Sequence, residues 1–441
     1  MKIAGEKNII NKLISGELYD AARNKKIRLP IKKLIIARNA LEKILAIFDD
    51  TKFARHNISV AIVSDFITHD VAGAAIERAL AKKYSITSII LPEGVKADEE
   101  SLHEVFCLSH GCKFIVAVGS GTINDLCKMA SFKHGIDYGV FATAPSMNGY
   151  LSPTASIELG GVKTSIKAHM PKLAVFDLDV LSNAPKQLIL SGLGDAICRS
   201  TVQADCLLSH YLLGTQYNKF IFDLLLEAEN NLLPEVKNLC KKGKNTKAIL
   251  ALTNSLIVGG IAMWMSGSST PASQGEHMIC HYMESFFNDG AYNNLFANKQ
   301  KNFHGEEVGV ATLYMAKLQE SFLKQKMLKI KPNALSKKEY SKFFDKQINA
   351  QKLDKFYKEY KAKMISEEVA EELNKFLQQN WQNIKTEILQ NFLNHSQILD
   401  ILNLVGSKTK ISDLGWFAQN FEQATKHAYL TRNRFTFMDL Q

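Results

Sequence analysis

Five consecutive apolar residues, Phe114-Ile115-Val116-Ala117-Val118, run directly into Gly119-Ser120-Gly121-Thr122 and then into a helix-length segment. A strand of a parallel sheet is covered on both faces, so it is continuously apolar where a half-exposed strand alternates. Glycines between such a strand and a helix N-terminus let backbone N–H groups approach a phosphate, and the helix dipole favours its charge. Asn124 stands where a third glycine would complete the pattern Gly-x-Gly-x-x-Gly. Taken alone, the turn therefore reads equally as a phosphate cradle and as an ordinary strand-to-helix connection.

The run belongs to a regular alternation. Short β-type runs at 34–37, 59–64, 87–91, 114–118 and 139–142 are separated by helix-length segments such as 70–83 and 123–134. That is the rhythm of βαβ units and a parallel sheet. It follows a short amphipathic segment at 3–15. Asp65, just past the second run, stands where an acidic residue would hold a ribose hydroxyl, or where a helix would take its N-cap. The stretch Thr143-Ala144-Pro145-Ser146-Met147-Asn148-Gly149-Tyr150-Leu151-Ser152-Pro153 is turn-rich and follows a strand end. Its small hydroxyl and amide residues can donate to a ligand without filling a cleft. A hairpin is expected at 157–159 and 162–166 across Gly160-Gly161, then a last apolar strand at 173–176. Asn183 can cap a helix with Pro185 in its first turn, and from there the pattern is helical throughout. The expected division is an α/β domain, 1–182, and an all-helical domain, 183–441.

A length of 441 residues with 46% hydrophobic content is enough for two or three domains, or one bilobed unit, with real cores. The first thirty residues lack the apolar core of a signal peptide, and the longest apolar run, 256–265, contains two glycines and is too short for a bilayer. No membrane span is expected, and a cytoplasmic location is. Seven cysteines, an odd number with no Cys-x-x-Cys pair, indicate neither a disulfide framework nor a zinc ribbon. The formal charge of +10 comes largely from lysines in 299–375, interleaved with glutamates on amphipathic helices. No aromatic-basic motif accompanies them, so a small anionic substrate is expected as partner and nucleic acid is not. Assembly into a homo-oligomer is left open.

His277 and His281, four apart, lie on one helix face and can serve a single site. His304, followed by Gly305-Glu306-Glu307, offers a third imidazole from a second helix, and Asp195 after Gly194 offers a carboxylate. An aspartate with two or three histidines suits zinc, nickel or ferrous iron and leaves a position open for substrate. The plainer readings are histidines settled in helix cores and Asp195 as a helix cap.

Together, Gly119-Ser120-Gly121-Thr122-Ile123-Asn124-Asp125, Thr143-Ala144-Pro145-Ser146, Gly194-Asp195, Pro271-Ala272-Ser273 with Glu276-His277, His304-Gly305-Glu306 and Arg432-Asn433-Arg434-Phe435-Thr436 give the chain a family likeness. From about residue 33 onward it resembles the sn-glycerol-1-phosphate dehydrogenases. They belong to the larger group of glycerol dehydrogenases, iron-containing alcohol dehydrogenases and dehydroquinate synthases. The resemblance implies a dehydroquinate synthase-like fold: a Rossmann-like α/β nucleotide-binding domain and an all-α metal-binding domain, with the active site between them. It makes Asp195, His277 and His304 the ligands of one divalent metal, zinc or alternatively nickel or iron. His281 would line the pocket and relay a proton. Gly119, Ser120, Gly121 and Thr122 would cradle the pyrophosphate of NAD(H) or NADP(H), and Asp65 would hold the adenosine ribose. Thr143 and Ser146 would face the nicotinamide, with Asp125 and Ser152 in the same dinucleotide site.

Arg199 stands where some relatives carry a fourth histidine ligand and where this branch usually has lysine. A cation cannot ligate a metal, so Arg199 is expected to meet a substrate phosphate, or else to pair with a helix carboxylate. Asn148 replaces the usual aspartate of the loop that faces nicotinamide and substrate. It keeps the size and the hydrogen bonding but loses the charge. The activity implied is metal-dependent reduction of dihydroxyacetone phosphate to sn-glycerol 1-phosphate. The alternatives are a glycerol or polyol dehydrogenase, a dehydroquinate synthase-like lyase, or, because of Asn148, a non-catalytic nucleotide- or metal-binding relative.

Overall fold

A computed structural model describes residues 9–20, 24–51, 58–287, 302–344 and 348–441. Strands β1 (Lys33–Ala37), β2 (Ser59–Asp65), β3 (Ser85–Leu91), β4 (Phe114–Gly119) and β5 (Asp137–Ala142) are followed by a hairpin, β6 (Thr154–Leu159) and β7 (Val162–Lys167), and by β8 (Leu173–Asp177). The hairpin is antiparallel and separate. The other six strands form one parallel sheet in the order β1-β8-β5-β4-β2-β3. β4 is buried along its whole length, as its unbroken apolar run requires. Phe114, Val116 and Val118 pack with Phe48, Ile76, Leu80, Phe141 and Val175.

The chain leaves β2 for β3 on one side and returns to β4 on the other. The carboxyl ends of β2 and β4 therefore flank the point where the strand order reverses, the usual ligand crevice of such sheets. Asp65 ends β2 and Gly119 ends β4.

Two expectations are adjusted in detail. The segment expected as one helix over 70–83 is a π-helical turn, His69–Gly73, that runs into α1 (Ala74–Leu80). A Cβ on Gly73 would come within 3.1 Å of the His69 ring and 3.3 Å of the Ser64 hydroxyl, so the chain there lies tight against β2. The remaining helices of interest are α2 (Glu99–Leu108), α3 (Gly121–His134), α4 (Lys186–Ile197), α5 (Arg199–Leu213), α6 (Thr246–Ser266), α7 (Gly275–Phe287), α8 (His304–Leu323) and α9 (Glu367–Gln390). No strand follows Asp177 among the described residues.

The second adjustment concerns the division of the chain. Two compact units emerge, one formed by Met1–Ala196 with Asp223–Ser269 and the other by Ile197–Phe222 with Thr270–Gln441. The change from α/β to helical sequence near 183 is therefore not where packing divides, because α4, as far as Ala196, and α6 belong to the same unit as the sheet. Their glycines explain it. A Cβ on Gly192 would lie 1.8 Å from the Pro145 carbonyl oxygen, and one on Gly260 would lie 2.8 Å from that of Asn148. Bare backbone lets both helices close on the loop at 143–153.

The apolar run at 256–265 is thus part of a longer element. α6 has 21 residues, and its most apolar 18-residue stretch, with a mean hydropathy of 1.8, is long and apolar enough to cross a membrane, yet 78% of that stretch is buried inside the protein. It has the composition of a core helix. In the second unit, α5, α8 and α9 share a core that includes Leu207, Leu208, Leu323, Leu377, Trp381 and Phe437. All seven cysteines are free thiols, and all but Cys107 and Cys240 are buried.

Candidate active site

In the first unit, the turn after β4 is built around what a side chain would obstruct. A Cβ on Gly119 would lie 2.8 Å from Cβ and Cγ1 of Ile123, so only glycine lets α3 follow β4 this closely. Gly121 differs: a Cβ there would meet Met147 Cγ at 3.7 Å, an ordinary contact. The protein's own packing does not demand that second glycine. Ser120 is the N-cap of α3, and its hydroxyl makes no capping hydrogen bond. Thr122 lies half-buried in the first turn. The leading N–H groups of α3 thus lack a side-chain cap, the arrangement in which a helix start takes an anion. At the end of β2, Asp65 Oδ1 accepts the Thr68 N–H at 2.7 Å, and the Asp65 N–H donates to Thr68 Oγ1 at 3.0 Å. The plainer role foreseen for Asp65, a helix cap, is thus realised.

Asp125 is engaged with protein on both oxygens. Oδ2 accepts the Ser156 N–H of β6 at 3.0 Å, and Oδ1 lies 3.6 Å from Lys128 Nζ. Lys128 is fully buried and donates to the Gly149 carbonyl at 2.8 Å, to Ser152 Oγ at 3.0 Å and to the Thr154 carbonyl at 3.0 Å. Burial drives the Lys128 pKa down while Asp125 pulls it back up; burial drives Asp125 up while Lys128 pulls it down. Sequence reasoning missed Lys128, although a lysine amid Leu126, Cys127, Met129 and Ala130 was a visible anomaly.

Thr143, Ser146 and Ser152 are all buried. The Thr143 N–H donates to the Gly119 carbonyl at 3.1 Å, and the Ser146 carbonyl accepts the Ser191 hydroxyl at 3.1 Å. The Asn148 N–H donates to Asp195 Oδ2 at 2.7 Å. One loop therefore links the glycine turn, the unusual Asn148 and the buried Asp195.

In the second unit, α7 presents His277 and His281 on one face, with ring centroids 6.2 Å apart. His304, the first residue of α8, brings its ring to 5.2 Å from His277 and 5.7 Å from His281. His277 Nδ1 lies 2.9 Å from Oε1 of the fully buried Glu276, which also accepts the Gln274 N–H at 2.8 Å. A proton held on Nδ1 by that carboxylate leaves Nε2 as the lone-pair nitrogen, the state a metal ligand needs. His281 Nδ1 lies 3.0 Å from Glu284 Oε2. Burial pushes the His281 pKa down to about 3 against the pull of Glu284, so its ring is neutral near pH 7.

Glu284 Oε1 is 3.8 Å from His304 Nδ1. That nitrogen and Glu276 Oε2 are buried without hydrogen-bond partners. Buried polar atoms left unsatisfied among imidazoles and carboxylates form a donor set that a divalent cation would satisfy. Ligand atoms of Glu284, His304 and Glu307 lie within 4.8 Å of one another, as do those of Cys198, Glu276 and His277.

The supports of these histidines escaped sequence reasoning. Asp205, fully buried in α5, accepts N–H groups from Gly275 at 3.2 Å and Phe437 at 3.0 Å and the Gln319 amide at 3.0 Å. It thereby pins the start of α7. Burial, and then the charge of Glu276, raise its pKa to about 8. Arg434 of the closing motif donates to the Ser273 carbonyl and, at 2.8 Å, to the Ser273 hydroxyl, holding the turn that precedes α7. The positive charge of Arg432 lowers the proton affinity of His281. Arg199 is also tied to protein. It is buried, with Nη1 donating to Gln203 at 2.6 Å and Nη2 to the Asn391 carbonyl at 2.7 Å. Those bonds make it a tether between α5 and the end of α9, where a cation facing substrate phosphate was expected.

A family model described as iron-containing alcohol dehydrogenase matches residues 35–185. Glycerol-1-phosphate dehydrogenase [NAD(P)+] of Pyrococcus horikoshii is 30% identical over 288 residues, covering 65% of this chain and 78% of that protein. The enzyme of the same name from Bacillus subtilis is 30% identical over 304 residues, covering 67% of this chain and 74% of that one. Among solved structures, a probable glycerol dehydrogenase from Sinorhizobium meliloti superposes with a TM-score of 0.59 at 15% identity, covering 93% of this chain and 94% of that one. The chain is accordingly an oxidoreductase of the glycerol-1-phosphate dehydrogenase family, within the iron-containing alcohol dehydrogenases.

Proposed function

We propose that this protein reduces dihydroxyacetone phosphate to sn-glycerol 1-phosphate with NADH or NADPH. The observation that carries the reading is the Glu276–His277 pair beside His304, which sets two imidazole rings 5.2 Å apart with His277 Nδ1 held 2.9 Å from a buried carboxylate. Asp195, His277 and His304 are the proposed ligands of a divalent ion, zinc or alternatively nickel or iron. When bound, the ion supplies positive charge that stabilises a developing alkoxide. The names of the relatives support the dinucleotide and the phosphorylated substrate.

The remaining roles fall to the chain's own groups. Gly119, Ser120, Gly121 and Thr122 receive the pyrophosphate on backbone N–H groups, and Asp65 takes the ribose with its carboxylate. Thr143 and Ser146 line the nicotinamide side, with Asp125 and Ser152 bracing that loop from behind. His281, neutral and with Nδ1 directed at Glu284, accepts a hydrogen bond on Nε2 from a bound water, and that water, in exchange with solvent, supplies the proton to the reduced substrate oxygen. Asn148 directs its amide toward the substrate hydroxyl without a charge of its own.

The test is turnover by metal-reconstituted protein with both cofactors, with dihydroxyacetone phosphate set against dihydroxyacetone. A preference for the phosphorylated ketone of about 100-fold or more, near 2.7 kcal/mol of transition-state stabilisation, is expected. Equal rates would favour a glycerol or polyol dehydrogenase.

A further inference from the structure

We propose that Lys128 is a positioning residue that couples the helix behind the glycine turn to the carboxylate of Asp195. The coupling to metal rests on the proposed role of Asp195 as a ligand. An ammonium group has three protons, and all three are used here, on the Gly149 carbonyl, Ser152 Oγ and the Thr154 carbonyl at 2.8 to 3.0 Å. Its counter-charge, Asp125, sits one helical turn away and holds β6 through the Ser156 N–H. Burying a charged pair is costly, and where packing alone is needed an apolar side chain of similar volume serves as well or better. What Lys128 adds is direction: it fixes three acceptors on one short stretch of backbone.

That stretch leads straight to Asp195. Gly149, whose carbonyl Lys128 grips, is the neighbour of Asn148, whose N–H donates to Asp195 Oδ2 at 2.7 Å. The loop has no slack on its other side. Gly192 lets α4 close on Pro145, and a Cβ on Gly259 would lie 3.0 Å from Asn148 Cβ. A loop pressed by helices on one side and gripped by Lys128 on the other holds the Asn148 N–H in one place, and with it the carboxylate that accepts it. Releasing the grip lets the N–H drift, and the charge-assisted bond that orients Asp195 weakens.

The decisive variant is Asp125→Asn/Lys128→Met, which removes the ammonium without stranding a buried carboxylate. Ser152→Ala, which removes a single acceptor, serves if the double variant does not fold. Val105→Ala, a cavity in the core of α2 away from the loop, controls for general loss of stability. Two readouts are taken: amide exchange across 143–152, and metal affinity by chelator competition. Exchange in that loop should accelerate by about tenfold or more over the Val105→Ala control. Metal affinity should fall by about tenfold or more, as when an outer-shell partner of a ligand is lost. Loop exchange equal to the control would overturn Lys128 as the anchor, whatever the metal does. Faster exchange with unchanged metal affinity would overturn the link to Asp195. Wild-type protein that takes up no metal would refute the ligand role of Asp195, and loop exchange would still decide Lys128.

Discussion

In the first unit, the atoms offered to a ligand are mostly backbone: N–H groups at the start of α3, brought close by Gly119 and left without a side-chain cap by Ser120. In the second, they are imidazole nitrogens paired with carboxylates, the buried Glu276 for His277 and the half-buried Glu284 for His281. A backbone site is sensitive to what is added, because an extra Cβ blocks the approach. A side-chain site is sensitive to what is removed, because each ring or carboxylate is a donor or the support of one. The same kind of substitution should therefore act differently in the two units.

Removal in the second unit should have the largest effect. His277→Ala deletes a proposed ligand whose Nε2 is kept unprotonated by Glu276, so metal affinity should fall by well over about 100-fold, more than the loss of an outer-shell partner produces. Turnover should vanish with it, while the parallel sheet of the first unit stays folded. Elemental analysis after dialysis checks the point, and full metal occupancy in His277→Ala would break the comparison at its strongest place.

Addition in the first unit separates two glycines that look alike in sequence. Gly119→Ala places a methyl group 2.8 Å from Ile123 and should cost about 1–3 kcal/mol of stability through overpacking. Gly121→Ala meets only Met147 at 3.7 Å, so the fold should be unaffected and any penalty should appear in cofactor binding. A loss of about tenfold in NADH affinity, near 1.4 kcal/mol, is expected there. Thermal melts and fluorescence titration read the two effects separately. Unchanged NADH affinity in Gly121→Ala would remove that backbone from the pyrophosphate site.

The contrast between backbone and side-chain sites also decides what the sequence could disclose. The sheet was legible because a parallel core needs local apolar runs, and Phe114 to Val118 is such a run. The glycine turn was legible for the same reason, since its geometry is fixed within a few residues of chain. The spacing of His277 and His281 reports one helix face and needs no partner. What was hidden depends on residues distant in the chain. Nothing local distinguishes Asp205, which pins α7 through Gly275, from any other aspartate in a helix. The Asn391 carbonyl that Arg199 meets could not be foreseen, because it lies 192 residues further on. The break near 183 follows the change in secondary structure, whereas the compact units follow packing, with Gly192, Gly259 and Gly260 letting α4 and α6 close on the loop at 143–153.

The smallest expected effect concerns the supports of the second site. Asp205 is fully buried and accepts three hydrogen bonds, yet burial and the neighbouring charge of Glu276 raise its pKa from 3.8 to about 8. The folded protein therefore holds a proton at neutral pH that the unfolded chain releases. Where the folded state binds more protons, stability falls as pH rises. The contribution is fully present below about pH 4, the unfolded pKa, and is lost as the pH climbs through about 8. Asp205 and Glu276 interact, so the titration belongs to the pair and not to one carboxyl group. In metal-free protein, the melting temperature should drop by a few degrees between pH 5 and pH 8, each kcal/mol being worth about 1 °C in a chain of 441 residues. Asp205→Asn keeps an acceptor for Phe437 and Gln319 but cannot titrate, so its melting temperature should be lower at pH 5 and the gap to wild type should close toward pH 8. A gap that stays constant across that range would mean that Asp205 is already ionised in the folded protein. The start of α7 would then be pinned by a carboxylate carrying full charge beside Glu276, and the second site would rest on repulsion contained by N–H donors instead of on a shared proton.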